Sequence, residues 1–156
     1  MGQTGRVFLH AGIWLGLGLL IYVFLLRQES PPPRLLGPDS VELQRTRDGH
    51  FYIDGQILSQ PIRFLIDTGA STVSIPEGLA RQAGLGCDRV STFSTANGHV
   101  QGCTTRVAQL FFGPFEMRDV EVVILPNLGG DALLGMNVLR RVRMEQAGDR
   151  LRLSAQ

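Results

Sequence analysis

The sequence predicts an all-β domain with one or two short helices, preceded by a single N-terminal transmembrane helix. Short runs rich in Val, Ile, Phe and Thr recur from His50 onward, separated by Gly-containing turn dipeptides. Glycine accounts for 19 of 156 residues, which suits many tight turns better than long helices. Residues 7–26 contain no Asp, Glu, Lys or Arg and lie between Arg6 and Arg27.

As a helix at about 1.5 Å per residue, residues 7–26 reach ~30 Å, the thickness of a bilayer's hydrocarbon core. A cleaved signal peptide has a shorter apolar core, ~7–15 residues, and ends in a small-x-small site. This segment ends Val23-Phe24-Leu25-Leu26-Arg27, which favours an uncut anchor. Its orientation stays open: Arg27, Arg34, Arg45 and Arg47 outnumber Arg6 and point the domain to the cytoplasm, whereas two cysteines point to a periplasmic or other extracytoplasmic side. Residues 27–48 hold Ser30-Pro31-Pro32-Pro33 and Gly37-Pro38 and read as an extended linker. The expected organisation is therefore a tail (1–6), an anchor (7–26), a Pro-rich linker (27–48) and a folded domain (49–156) with room for one modest core.

Within that domain, Phe51-Tyr52-Ile53 and Gln56-Ile57-Leu58 flank Asp54-Gly55, the signal of a two-residue hairpin turn. Ile62 to Ile66 reads as a strand and Thr72-Val73-Ser74-Ile75 as its extended continuation. Pro76 suits a helix start, with Glu77 in the first turn and Gly84 or Gly86 beyond the end. Asn97-Gly98 marks a second hairpin between Ser91–Ala96 and His99–Val107. Phe111-Phe112 and Val120–Leu125 add strands around Gly113-Pro114. Asp131 is placed to cap a helix running to Arg140. A last hairpin joins Arg141–Glu145 to Arg150–Leu153 around Gly148-Asp149.

Composition narrows the chemistry. The net charge is +1 and the basic residues are scattered arginines, so no nucleic-acid surface is expected. His10, His50 and His99 lack metal-ligand spacing and no Cys-x-x-Cys or His-Glu-x-x-His pattern occurs, so no metal or cofactor is expected. Ser71 and Ser74 lack the glycine-flanked elbow of a hydrolase serine. What stands out is Asp67-Thr68-Gly69-Ala70-Ser71, directly after the apolar run Phe64-Leu65-Ile66 and present once.

Asp67-Thr68-Gly69-Ala70-Ser71, the hairpin tipped by Ala96-Asn97-Gly98, and Ala132-Leu133-Leu134-Gly135-Met136-Asn137-Val138-Leu139 occur in the order and approximate spacing of the retropepsins. The chain resembles the membrane-anchored, single-domain retropepsin-like aspartic proteases of bacteria over about Gly49 to Leu153. That resemblance implies an acid-protease half-barrel and a homodimer acting on a polypeptide substrate, because the chemistry needs two carboxylates and this chain carries one motif. It implies that Asp67 is catalytic and that Thr68 and Gly69 form the turn locking two subunits together. Ala96, Asn97 and Gly98 would form the flap tip. Leu133 and Leu134 would be the apolar pair of which one lines the cleft, Gly135 a close-packing position and Asn137 a structural amide. The viral enzymes carry acidic residues after Gly-Ala and an Arg after the late Gly; Ser71, Thr72 and Met136 stand there instead, so the viral interface ion pairs are missing.

Cys87 and Cys103 flank the predicted flap hairpin and are a candidate disulfide, with two free thiols as the competing reading. A two-residue turn at Asn97-Gly98 sets Cys103 opposite Thr92, so a bridge requires the chain before Ser91 to fold back. Two other readings of the whole chain compete: a catalytically silent dimerisation or peptide-binding module at the membrane, and a small secreted β-domain behind a signal peptide.

Overall fold

The structure, a computed structural model, describes residues 3–26, 32–95 and 98–156, and within 3–26 the side chains of residues 10 and 12–22. Residues 27–31 of the expected linker lie outside it, as do Ala96 and Asn97 of the expected flap tip. The chain divides into two compact units, Met1–Pro31 and Pro32–Gln156. The first contains helix α1 (Gln3–Leu26), whose described apolar side chains are exposed, Trp14 at 70% and Leu15 at 76%. The anchor expected over residues 7–26 falls on α1. Among the described residues, however, no helix is long and apolar enough to cross a membrane. A spanning anchor therefore rests on the sequence pattern alone.

The second unit is mostly β. It begins with β1 (Arg34–Gly37), β2 (Ser40–Gln44), β3 (Tyr52–Ile57), β4 (Gln60–Ile66) and β5 (Val73–Pro76). Helix α2 (Glu77–Gln82) follows, then β6 (Arg89–Thr95), β7 (Gly98–Phe112) and β8 (Phe115–Leu125). Strand β9 (Ala132–Leu134), helix α3 (Met136–Leu139), β10 (Val142–Ala147) and β11 (Arg150–Ala155) complete it. One sheet has the order β1-β2-β11-β10, the other β3-β4-β9-β5-β8-β7-β6. β3 also pairs with β7 through Gly55↔Phe112 to Ile57↔Leu110, which closes the second sheet on itself and covers the free edge of β3, leaving β6 as an edge strand.

Four sequence expectations change. The linker reading fails from Arg34 onward, because Ser40-Val41-Glu42-Leu43-Gln44 alternates with the period of a strand and buries Val41 and Leu43 to 0% and 1% exposure against β11. Its prolines precede β1 or sit in the β1–β2 turn. Asp54-Gly55 is not a turn: β3 runs through it, and the hairpin turns at Leu58-Ser59, with Leu58 at φ 52°. Gly55 is required for another reason, since an added Cβ would lie 2.2 Å from the Phe111 carbonyl oxygen and 2.7 Å from the Phe64 ring. The third change is at Asp131. It precedes strand β9 rather than a helix, and α3 begins only at Met136.

The fourth concerns the second hairpin. Thr95 pairs with Gly98, so every pairing shifts by two relative to a turn at Asn97-Gly98. Cys103 consequently faces Val90, not Thr92. Gly98, at φ +105°, takes the positive-φ conformation that the dipeptide signalled, but as the first paired residue of β7.

The core lies between the two sheets' inward faces. Ile53, Ile57, Phe64, Val73, Ile75, Leu110, Phe112 and Leu134 are all at 1% exposure or less, joined by Leu43 and Leu153 from the smaller sheet. Strands such as β2 and β11 contribute alternate residues, whereas β5 and the last four residues of β8 are buried on both faces. Phe112 and Phe115 stack at 5.1 Å across the tight turn that follows β7.

Candidate active site

Strand β9 inserts between β4 and β5, parallel to β4 through Phe64↔Ala132, Leu65↔Leu133 and Ile66↔Leu134, and touching β5 at Ser74↔Leu133. The chain therefore leaves β4, makes the Asp67–Thr72 turn and re-enters at β5 on the far side of β9. This loop-around-a-strand arrangement holds the turn at the carboxyl ends of two parallel strands. The Asp67 N–H donates to the Leu134 carbonyl at 3.1 Å, extending the β4–β9 ladder by one bond and fixing where the carboxylate emerges.

The carboxylate is held by its own turn. The Gly69 N–H donates to Asp67 Oδ1 at 2.8 Å, and the Ala70 N–H to the Asp67 carbonyl at 3.3 Å. A charge-assisted bond of this kind pins the side chain to one rotamer. Asp67 is half-buried while Thr68 and Gly69 are exposed, so the turn presents its acid at a surface. A Cβ on Gly69 would sit 3.1 Å from Asp67 Oδ1, crowding the accepting oxygen.

Behind the turn stands α3. The Met136 N–H donates to the Ala70 carbonyl at 2.8 Å and the Asn137 N–H to the Ser71 carbonyl at 3.0 Å, so the turn's carbonyls satisfy the helix's first donors. Gly135 permits this approach: an added Cβ would lie 2.5 Å from both the carbonyl carbon and the oxygen of Thr72. The Asn137 side chain ties three segments, accepting from the Val73 N–H at 3.0 Å and donating to the Glu121 carbonyl at 2.8 Å. Of the leucine pair, Leu134 is fully buried and Leu133 half-buried, so only Leu133 has surface to offer a ligand.

The β6–β7 hairpin forms the second part of the region. Thr95 Oγ1 donates to the Gly98 carbonyl at 2.8 Å next to the loop. A recess of about 250 Å³ lies between Thr95, Gly98, His99 and Val100 of this hairpin, Leu125 at the end of β8 and Leu128 beyond it. Sequence reasoning gave Leu125 a place in a strand but neither it nor Leu128 a role in the site, because a strand end and a loop carry no chemical signature. Cys87 and Cys103 are joined, with Cα atoms 5.5 Å apart. The chain before Val90 does fold back: the Asp88 N–H donates to the Thr104 carbonyl at 3.2 Å, and Thr105 Oγ1 donates to Asp88 Oδ2 at 2.8 Å. Among the described residues no cluster of His, Cys, Asp or Glu has the geometry to hold a metal ion.

Comparison with known proteins agrees with this geometry. The model of the "gag-polyprotein putative aspartyl protease" family matches residues 53–141, from β3 through α3. An uncharacterized protein from the cobV 5′ region of Sinorhizobium sp is 31% identical over 122 residues, covering 75% of this chain and 52% of the relative. The uncharacterized protein RP867 of Rickettsia prowazekii (strain Madrid E) is 30% identical over 105 residues, covering 65% of this chain and 45% of the relative. The chain thus spans about half the length of these relatives. Among solved structures, a retropepsin-like aspartic protease from Rickettsia conorii superimposes with a TM-score of 0.65 at 29% identity, covering 74% of this chain and 90% of that one. With the family model spanning the Asp67 turn, the strand that supports it and the helix behind it, this chain belongs to the retropepsin-like aspartic proteases.

Proposed function

We propose that the protein is an aspartic endopeptidase active as a homodimer, each subunit supplying one Asp67. The observation that carries this reading is the half-buried Asp67 carboxylate, fixed by the Gly69 N–H in a turn that occurs once per chain. Two such carboxylates facing each other at ~3 Å cannot both ionise cheaply, so the pair holds one proton; aspartic proteases are the type case of this arrangement. The ionised member takes a proton from a water as that water attacks the peptide carbonyl, while the protonated member polarises the carbonyl oxygen. Because the two titrations are coupled, their apparent values belong to the pair. Thr68 serves the contact between subunits, and the recess under the β6–β7 hairpin receives substrate side chains.

Purified protein should hydrolyse an unstructured polypeptide, with specific activity rising with protein concentration as dimers form. Asp67→Asn, which keeps the shape but not the shared proton, should abolish turnover and leave the circular dichroism spectrum unchanged. Hydrolysis that persists in this variant, or that chelators remove, would overturn the mechanism. A silent binding module is the outcome if the wild type binds peptide and cleaves none.

The same reading places the domain at a membrane, outside the cytoplasm. Supporting the tether is the sequence pattern, the run of residues 7–26 without Asp, Glu, Lys or Arg between Arg6 and Arg27. Supporting the compartment is the Cys87–Cys103 bridge. Recovery of the full chain in the carbonate wash of bacterial membranes, rather than in the pellet, would overturn the tether.

A further inference from the structure

The β6–β7 hairpin changes character at one residue. β8 pairs with β7 from Phe112↔Phe115 up to Cys103↔Ile124 and no further, so from Ser91↔Gly102 to Thr95↔Gly98 the hairpin is a two-stranded arm. Along β7 the first buried residue below the loop is Gly102; the described residues 89–95 and 98–101 are all exposed or half-buried. A two-stranded hairpin with no buried face is marginal in water. Its direction must therefore be set at its base.

The base is built as a pivot. A Cβ on Gly102 would lie 2.9 Å from the Ile124 carbonyl and 2.7 Å from Leu125 Cδ2, so the backbone there runs hard against the end of β8. Next to it Cys103 is bonded to Cys87, in the segment that follows α2, a helix seated on the core through Ala80 at 1% exposure. The arm is thus tied to the body twice, once by the β8 ladder and once by the bridge through α2. Beside the pivot lies a cavity of about 360 Å³ lined by Arg81, Leu85, Val90, Gln101 and the two cysteines, space into which the base can shift once the bridge is open.

We propose that the Cys87–Cys103 bridge is a positioning device: it fixes the angle at which the paired segments 91–95 and 98–102 leave the sheet, and through that angle how firmly an extended polypeptide is held. Cys87 is exposed, so the bridge is open to reduction by a dithiol. The dithiol supplies two electrons and two protons, the S–S bond becomes two thiols, and the reductant leaves as its own disulfide. The catalytic consequence rests on the peptidase reading above; the mechanical one does not.

The experiment compares the full wild-type chain, oxidised, reduced with dithiothreitol and reoxidised, with the Cys87→Ser/Cys103→Ser double variant. Hydrogen exchange is measured on arm and core peptides alongside kcat and KM for a peptide substrate. Opening the bridge should speed exchange of the arm amides about tenfold while β4 and β8 stay protected. It should lower kcat/KM by about tenfold, mainly through KM, with recovery on reoxidation. If the double variant does not fold, the reduced and reoxidised wild type gives the same comparison. Unchanged arm exchange, or loosening spread equally to β4 and β8, overturns the proposal, as does an unchanged kcat/KM with a loosened arm. Loosening confined to the arm with no hydrolysis in any form supports the pivot and overturns the peptidase reading instead.

Discussion

Replacing Asn137 by Ala tests whether the turn bearing Asp67 is held from behind by one side-chain amide. Asn137 Oδ1 accepts from the Val73 N–H at 3.0 Å and Nδ2 donates to the Glu121 carbonyl at 2.8 Å. Val73 is fully buried, so water cannot replace the lost acceptor without opening the sheet between β5 and β8. Stranding a buried backbone group costs about 1–3 kcal/mol, so two groups with one partly solvated amount to roughly 2–4 kcal/mol. That is a large share of the ~5–15 kcal/mol by which a domain of this kind is stable. Asn137→Leu separates hydrogen bonding from packing, because it fills the space and restores neither bond; it should lose nearly as much as Asn137→Ala. Urea unfolding followed by tryptophan-independent far-UV dichroism measures both. A loss under about 0.5 kcal/mol in the Ala variant, the range of an ordinary surface substitution, would refute the reasoning.

Gly135→Ala drives a methyl to 2.5 Å from the Thr72 backbone, so it should destabilise by about 1–3 kcal/mol or more and displace the Asp67 turn; wild-type stability and hydrolysis would contradict this. Gly55→Ala meets the Phe111 carbonyl oxygen at 2.2 Å and should disrupt the β3–β7 closure, read as lost amide protection at Ile57 and Leu110. Asp48 accepts hydrogen bonds from Thr46 Oγ1, the Tyr52 hydroxyl and the His50 N–H, which hold its carboxyl down from 3.8 to about 2. A depressed folded value stabilises the fold above pH 3.8, and that contribution is lost as pH falls toward 2. The wild-type urea midpoint should therefore drop across this window more steeply than that of Asp48→Asn, and parallel curves would contradict the assignment. Tyr52, raised from 10.0 to about 12 by burial and then by Asp48, favours its neutral form in the fold, so Tyr52→Phe should flatten the loss of stability between those two pH values.

Legibility differed by the range of the interaction. The strand before Asp67, β5 beyond it, the start of α2 one residue after Pro76 and the last hairpin around Gly148 were readable, since each depends on a few consecutive residues: an apolar run, a Pro, a Gly at φ +57°. β9 was not. Ala132-Leu133-Leu134 is three residues long and equally at home in a helix, and only pairing with β4 makes it a strand. The first hairpin was misplaced because Asp54-Gly55 is the right dipeptide for a turn, while the Gly was needed for the passage of β7 and the Phe64 ring. Val41 and Leu43 showed their alternation, but proline-rich neighbours outweighed it, and their partner β11 lies more than a hundred residues away.

By itself the sequence determined the chemistry on offer: one Asp-Thr-Gly-Ala-Ser turn at the end of an apolar strand, a later Leu-Leu-Gly-Met-Asn segment, and two cysteines around a hairpin. Those are local facts, written in residue types that covalent geometry and side-chain chemistry interpret without a fold. Only the tertiary structure decided that β9 threads between β4 and β5 to seat the turn, that Gly135 and Asn137 at the start of α3 brace it, and that the β6–β7 register together with the fold-back before Val90 brings Cys87 to Cys103. Each of these depends on which distant surfaces bury together, and that choice is made by the whole core at once rather than by any window of the chain.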